Sequence, residues 1–139
     1  MSVFTSEEIE YLKDQRLGRL ATVDAAGEPH VVPVSFSHNA ELDIIDIGGH
    51  NRSRSKKFRD VARSGRVAFD DVLPPWQTRG IEVRGRAEAL EAGGRRVNAD
   101  FDPDQLRIAP RRIVAWGIDT DAYRPNSRSV GASKKPDAP

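Results

Sequence analysis

Gly80-Ile-Glu-Val-Arg-Gly-Arg-Ala-Glu-Ala-Leu90 alternates almost strictly, with Ile81, Val83, Gly85, Ala87 and Ala89 on one side and Glu82, Arg84, Arg86 and Glu88 on the other. A period of two is the mark of a strand with one face in a core and one in water. The inward side shrinks from branched residues to glycine and alanine, which suits the tightly curved wall of a small barrel.

The flanking sequence extends this reading in both directions. Arg66 to Val72 is a second strand, joined to the first by the stiff loop Leu73-Pro-Pro-Trp-Gln77. Glu91 to Asp104 is a polar connection holding Gly93-Gly94 and a lone Phe101, and Leu106 to Ile118 is a last strand, interrupted by Pro110. Toward the N-terminus, Leu17 to Val23 and His30 to His38 form a hairpin about the turn Asp24-Ala-Ala-Gly27. Val32, Val34, Phe36 and His38 share one face of the second strand, and Val31, Pro33, Ser35 and Ser37 the other. Pro33 has no N–H to donate, which fits an edge, a bulge or a ligand lying against the backbone. Leu42 to Ile47 is apolar on both faces and reads as a central strand.

Two helices complete the pattern. Thr5 as N-cap, Glu8 three residues on and the pair Phe4 and Ile9 make a capping box with a hydrophobic staple, predicting a helix over Ser6 to about Gln15 with Ile9 and Leu12 buried. A second helix follows Gly48-Gly49, buries Phe58, Val61 and Ala62, and ends at Gly65. About six strands joined by hairpins, with two helices, make a mainly β fold: an antiparallel barrel capped by helices. The expected organisation is one domain over residues 1–124 and a disordered tail over 125–139, rich in Ser, Lys and Pro.

Composition excludes several functions. With 22 Lys and Arg against 21 Asp and Glu, the net charge of +1 gives no overall field for nucleic acid, so any anion site is local. The chain lacks cysteine, which removes thiolate catalysis and disulfides. No apolar run is long enough for a membrane span and no secretory signal is visible, so the expected location is cytoplasmic. His30, His38 and His50 lack ligand spacing, and no metal is expected. No G-x-S-x-G elbow exists, and Asp70 and Asp71 face opposite sides of a strand as solvated strand ends.

The strongest functional signal is Ile47-Gly-Gly-His-Asn-Arg-Ser-Arg-Ser-Lys-Lys-Phe58. Helix starts carry partial positive charge and favour acids, yet Arg52, Arg54, Lys56 and Lys57 crowd this one, with Asp60 the only nearby acid in sequence. A solvated basic face is the ordinary explanation for a charge run. The position after two glycines, where backbone can approach a ligand, favours an anion such as phosphate. His50 and Ser35 are the candidates for moving a proton, although neither has an orienting acid in sequence. Trp76, presented by the two prolines before it, is placed equally well over an aromatic ring or in the core, whereas Trp116 is read as structural.

Leu17-Gly-Arg-Leu-Ala-Thr-Val-Asp, Gly27-Glu-Pro-His-Val-Val-Pro-Val-Ser-Phe, Lys56-Lys-Phe-Arg-Asp-Val-Ala-Arg and Arg66-Val-Ala-Phe, in this order and spacing, resemble the FMN-binding split β-barrel superfamily typified by pyridoxamine 5'-phosphate oxidases. The resemblance covers about Thr5 to Asp119. The short connection after Gly85 and the ending Leu106-Arg-Ile-Ala-Pro-Arg-Arg-Ile-Val-Ala-Trp-Gly are similar to the actinobacterial branch that uses the deazaflavin coenzyme F-420, including small reductases of polyketide antibiotic precursors. The resemblance implies a six-stranded split barrel, a homodimer with cofactor grooves at its interface, and hydride transfer to a conjugated small molecule. It places the cofactor phosphate on Lys57, with Arg52, Arg54, Ser55 and Lys56 around it. The ring system lies along the backbone of Val32, Pro33, Val34 and Ser35, with Trp76 from a partner chain on the substrate side. Some relatives carry Arg where Ser55 stands, which shifts phosphate contacts toward Arg52 or Arg54. Two alternatives remain open: an FMN-dependent oxidase or reductase, and a non-catalytic F-420 carrier, since no obligatory acid or base is evident.

Overall fold

The computed structural model describes residues 2–50, 55–72 and 78–131. Helix α1 (Ser6–Asp14) is followed by β1 (Leu17–Val23), β2 (Pro29–Asn39), β3 (Ile44–Gly48), α2 (Lys56–Ser64), β4 (Arg66–Val72) and β5 (Gly80–Leu90). A 3-10 turn at Gly94–Arg96, then β6 (Gln105–Trp116) and β7 (Asn126–Ser129), follow among the described residues. The strands pair antiparallel in the order β3-β2-β1-β4-β5-β6-β7, and β3 also pairs with β6 through Ile45 opposite Ile108 and Ile47 opposite Leu106. Six strands therefore close into a mainly β barrel flanked by two helices, and β7 lies outside it on the edge of β6.

Alternation builds the core. Leu20, Val34, Phe36, Ile45, Ile47, Phe69, Ile81, Val83, Leu106, Ile108 and Ile113 all point inward and are buried, with Ala87 and Ala89 packed against them. The closing seam is pinned by Asp46, whose carboxylate accepts hydrogen bonds from Arg107 Nε at 3.0 Å and Asn39 Nδ2 at 2.9 Å.

Pro110 does not interrupt β6 as expected. The β5–β6 register slips so that Arg84 faces Arg112 while Gly85 faces Pro110, leaving Arg111 without an opposite residue in β5. Its carbonyl accepts the Val130 N–H at 2.8 Å. Gly85 allows this bulge, since a Cβ there would stand 2.2 Å from the Ala109 carbonyl oxygen.

Helix α1 begins as the sequence predicts, and both helices bury more charge than it predicts. In α1 the capping box is formed by Thr5 and Glu8, but the buried side is Glu8, Tyr11 and Leu12. Glu8 is drawn inside by Arg128 of β7, which reaches its two carboxylate oxygens at 2.6 and 3.0 Å. In α2, Ser55 is the N-cap and Gly65, with φ of 67°, the C-cap. Asp60 is buried and Ala62 exposed, because Asp60 ion-pairs with Lys56 and Arg63. A third correction concerns the tail. Asn126–Ser129 pair with β6, so the disorder expected from Pro125 does not hold for residues 126–131, while residues 132–139 lie outside the described ones. Among the described residues, no helix is long and apolar enough to cross a membrane.

Candidate functional site

The site is organised along one edge of β2. Phe36 donates its N–H to the Arg16 carbonyl at 3.3 Å, and because backbone groups alternate along a strand, the even residues of β2 turn toward β1 and the odd ones away. On the far side β3 pairs only with Ser35 to Asn39. No described strand covers that side from Pro29 to Val34. The donor that Pro33 lacks therefore falls on this free edge and costs the β1–β2 ladder nothing, which makes Pro33 an edge residue and not a bulge. Val32 and Val34 spend their polar backbone groups on β1 and turn their side chains inward. Val31, which sequence reasoning passed over, presents N–H and carbonyl to the edge and is 64% exposed. Its position relative to the hairpin turn was the available signal.

At one end of this edge lies the start of α2. Ser55 Oγ accepts the Phe58 N–H at 3.2 Å, and the first turn contains no acid. Lys57 is half-buried at the second helical position. Lys56 Nζ stands 3.5 Å from Asp60 Oδ2, an ion pair without a hydrogen bond, and 3.8 Å from Asp24 Oδ2. Asp60 is thus not the only nearby acid, as the linear sequence suggested. Asp24 reaches the helix from the β1–β2 turn. Its carboxyl is held down to a pKa of about 2, first by His30, whose Nε2 lies 2.8 Å away, then by the N–H groups of Glu28 and Ala26 and the charge of Lys56. Arg52 and Arg54 lie outside the described residues, as does Trp76.

At the other end, Ser35 pairs with Gly48, and a cavity of about 250 Å³ opens among Arg16, Ser35, Phe36, Val97, Asn98 and Phe101. His50 rests edge-on against Phe101, centroids 5.5 Å apart, with Nδ1 4.0 Å from Asp102 Oδ1. Gly48 is used for packing: a Cβ there would stand 2.8 Å from the Phe101 ring and 3.1 Å from Val97. The polar connection before β6 is consequently a wall of the site, and the isolated Phe101 was its only trace in the sequence. Strand geometry puts the two ends roughly 20 Å apart. Ser35 and His50 gather at one, Lys56 and Lys57 at the other.

The three histidines engage three different carboxylates, His30 with Asp24, His38 with Asp43 at 3.1 Å and His50 with Asp102. No metal-binding cluster of three such residues occurs among the described residues. Asp71 departs from its expected solvated position. Asp70 is paired to Arg19 by two bonds of 2.8 Å, but Asp71 is buried, and its Oδ2 has no hydrogen-bond partner among the described residues. Burial, helped by the charge of Asp70 and opposed by Arg19, raises its pKa to about 6.

The donor set at α2 suits a phosphate, and the exposed backbone of β2 offers a flat surface to a ring. Comparison with known proteins identifies the family. The family profile described as pyridoxamine 5'-phosphate oxidase matches residues 4–128. A 5a,11a-dehydrotetracycline/5a,11a-dehydrooxytetracycline reductase of Streptomyces rimosus subsp. rimosus is 50% identical over 122 residues, covering 85% of this chain and 86% of that protein. Among solved structures, a conserved hypothetical protein of Mycobacterium tuberculosis superposes with a TM-score of 0.66 at 20% identity, covering 96% of both chains. An F420 reductase superposes with a TM-score of 0.62 at 21% identity, covering 75% of this chain and 94% of that one. With a closed split barrel, a matching profile over nearly its whole length and a reductase at half identity, the chain belongs to the pyridoxamine 5'-phosphate oxidase family.

Proposed function

We propose that this enzyme is an oxidoreductase that uses coenzyme F-420 to reduce a conjugated, oxygen-rich small molecule. The observation that carries the reading is the free edge of β2, with cations at one end and, at the other, the cavity lined by Ser35 and by Phe101, against which His50 rests. The half-identical relative is named for reducing a dehydrotetracycline, and a solved F420 reductase shares the fold. The first supports a polycyclic acceptor and the second a deazaflavin.

Bound reduced F-420 would supply the hydride. This chain's contribution is orientation, counter-charge and exclusion of water. Lys57, Lys56 and the start of α2 hold the phosphate. Backbone groups of Val31 and Pro33 fix the ring along β2. Phe101 and Val97 shield the far end, where Ser35 Oγ and His50 Nε2 are the atoms able to deliver a proton. The outer sheet face, with Leu17 63% and Val31 64% exposed and a cavity of about 260 Å³ over Ala21, Ala68 and Asp70, suits a second copy of the chain, so the working unit is taken as a homodimer.

The same geometry accepts FMN, which also joins one phosphate to a flat ring, and the name of the matched family favours keeping that reading second. Fluorescence titration with F-420 separates the two. Saturable quenching by a colourless protein supports the first, whereas a yellow protein carrying flavin and indifferent to F-420 supports the second. Lys57→Ala is expected to weaken F-420 binding by about tenfold, or 1.4 kcal/mol, with an unchanged melting temperature. Equal affinity in the variant refutes the assignment of the phosphate to Lys57.

A further inference from the structure

We propose that Asp24 is a positioning residue of the anion site, an internal counter-charge that shares one oxygen between His30 and Lys56 and that a ligand phosphate must displace from Lys56. The inference rests on the reading of the α2 start as the phosphate end of the cofactor groove.

Asp24 is fixed before any ligand arrives. Its Oδ1 accepts the N–H groups of Ala26 and Glu28, each at 2.9 Å, so the carboxylate cannot swing away from the turn. This leaves Oδ2 aimed at α2. His30 Nε2 takes it at 2.8 Å, and Lys56 Nζ stands 3.8 Å from the same oxygen. On its other side Lys56 meets Asp60, whose side chain is 8% exposed and whose second oxygen lies 3.5 Å from Arg63. Arg63 in turn donates to the Val23 carbonyl. Two carboxylates and two cations thus form a nearly neutral group around Lys56, and the carboxylate of Asp24, held well below its usual range, stays charged throughout the physiological range. A phosphate, diester or monoester, brings at least one negative charge to the same place and competes directly with Asp24 for the ammonium group. Affinity at this end is therefore set lower than the number of cations suggests, and removing Asp24 raises it.

Asp24→Asn keeps the Oδ1 acceptor of the turn and deletes the charge, which makes it the informative variant. Two readouts are compared in the full-length protein. The first needs no cofactor: the rate at which the Lys56 amine is acylated by an activated ester, followed by peptide mass spectrometry. The second is F-420 affinity and its dependence on salt. The expected result is several-fold faster labelling of Lys56 in D24N and about fivefold tighter F-420 binding, with a steeper salt dependence. The gain in affinity should vanish when Lys56→Ala is added, which a merely structural role for Asp24 would not produce. His30→Ala leaves Oδ2 to Lys56 alone and should act in the opposite sense, slowing labelling; this second variant decides the matter if D24N fails to fold. Unchanged labelling in both variants, or tighter binding that persists without Lys56, overturns the proposal. If no variant binds F-420 at all, the reading of the site fails, and the labelling rates alone still decide whether Asp24 restrains Lys56.

Discussion

Asp71 shares the inner face of β4 with Phe69, and the Tyr11 hydroxyl donates to its carbonyl at 3.2 Å. A carboxyl whose pKa is about 6 in the folded chain and 3.8 ordinarily binds its proton more readily folded than unfolded. Stability therefore falls as pH rises from about 4 to 6, and above pH 6 the charged, buried group costs up to about 3 kcal/mol. Asp71→Asn removes the pH-dependent part. Urea unfolding from about pH 4 to about pH 8 should show the variant gaining on the wild type by about 2 kcal/mol across that range. Curves that stay parallel would refute the assignment. At this scale the sequence was least informative. It identified Lys56 and Lys57 as a helix-start anomaly, but Asp24, thirty-two positions before Lys56, joins them only because the β1–β2 turn folds beside α2. Asp70 and Asp71 are chemically identical and adjacent, and only the parity of β4 decides which one is solvated.

At the scale of elements, legibility followed periodicity. The bounds of β1, β4 and β5 agree with the alternating pattern, and α1 starts at Thr5, whose capping box is readable in the sequence, whereas the Ser55 cap of α2 was not read there. β7 escaped notice because Asn-Ser-Arg-Ser has no apolar period. Its pairing with β6 is reinforced by Arg112, which donates to Ser127 Oγ at 2.6 Å and Ser129 Oγ at 3.1 Å. The connection before β6 was equally opaque, since Gly48 and Gly49, against which it packs, lie more than forty residues upstream. The β5–β6 bulge supplies a direct test. Gly85→Ala drives a methyl group into the Ala109 carbonyl and should destabilise the protein by more than about 2 kcal/mol, measured by thermal unfolding. A neutral result would mean that the bulge is not held where Gly85 puts it.

The whole molecule is tied together across its termini. Arg128, on the strand outside the barrel, meets Glu8, on the first helix, and also donates to the Val3 carbonyl at 2.8 Å. Glu8 is fully buried, so Arg128→Ala strands a charge and should cost about 3–5 kcal/mol. Replacing both residues with apolar ones of similar size should cost less than the single change, a comparison that denaturant titration makes directly. Hairpin connectivity was enough to foresee a barrel. It did not reveal that the two ends of the candidate site would be separate stations on one strand, because that follows from where β3 stops pairing with β2.

That early stop has a further consequence. An uncovered strand edge is ordinarily a template on which another polypeptide can add itself, the first step toward aggregation. Pro29 and Pro33 occupy two of the three outward-turned positions from 29 to 33, leaving Val31 as the single backbone donor there among the described residues. An incoming strand would find carbonyls with too few amides between them to zip up a ladder. The prolines therefore act as a filter on what can occupy this slot, rejecting extended peptide while leaving the surface bare for a compact guest.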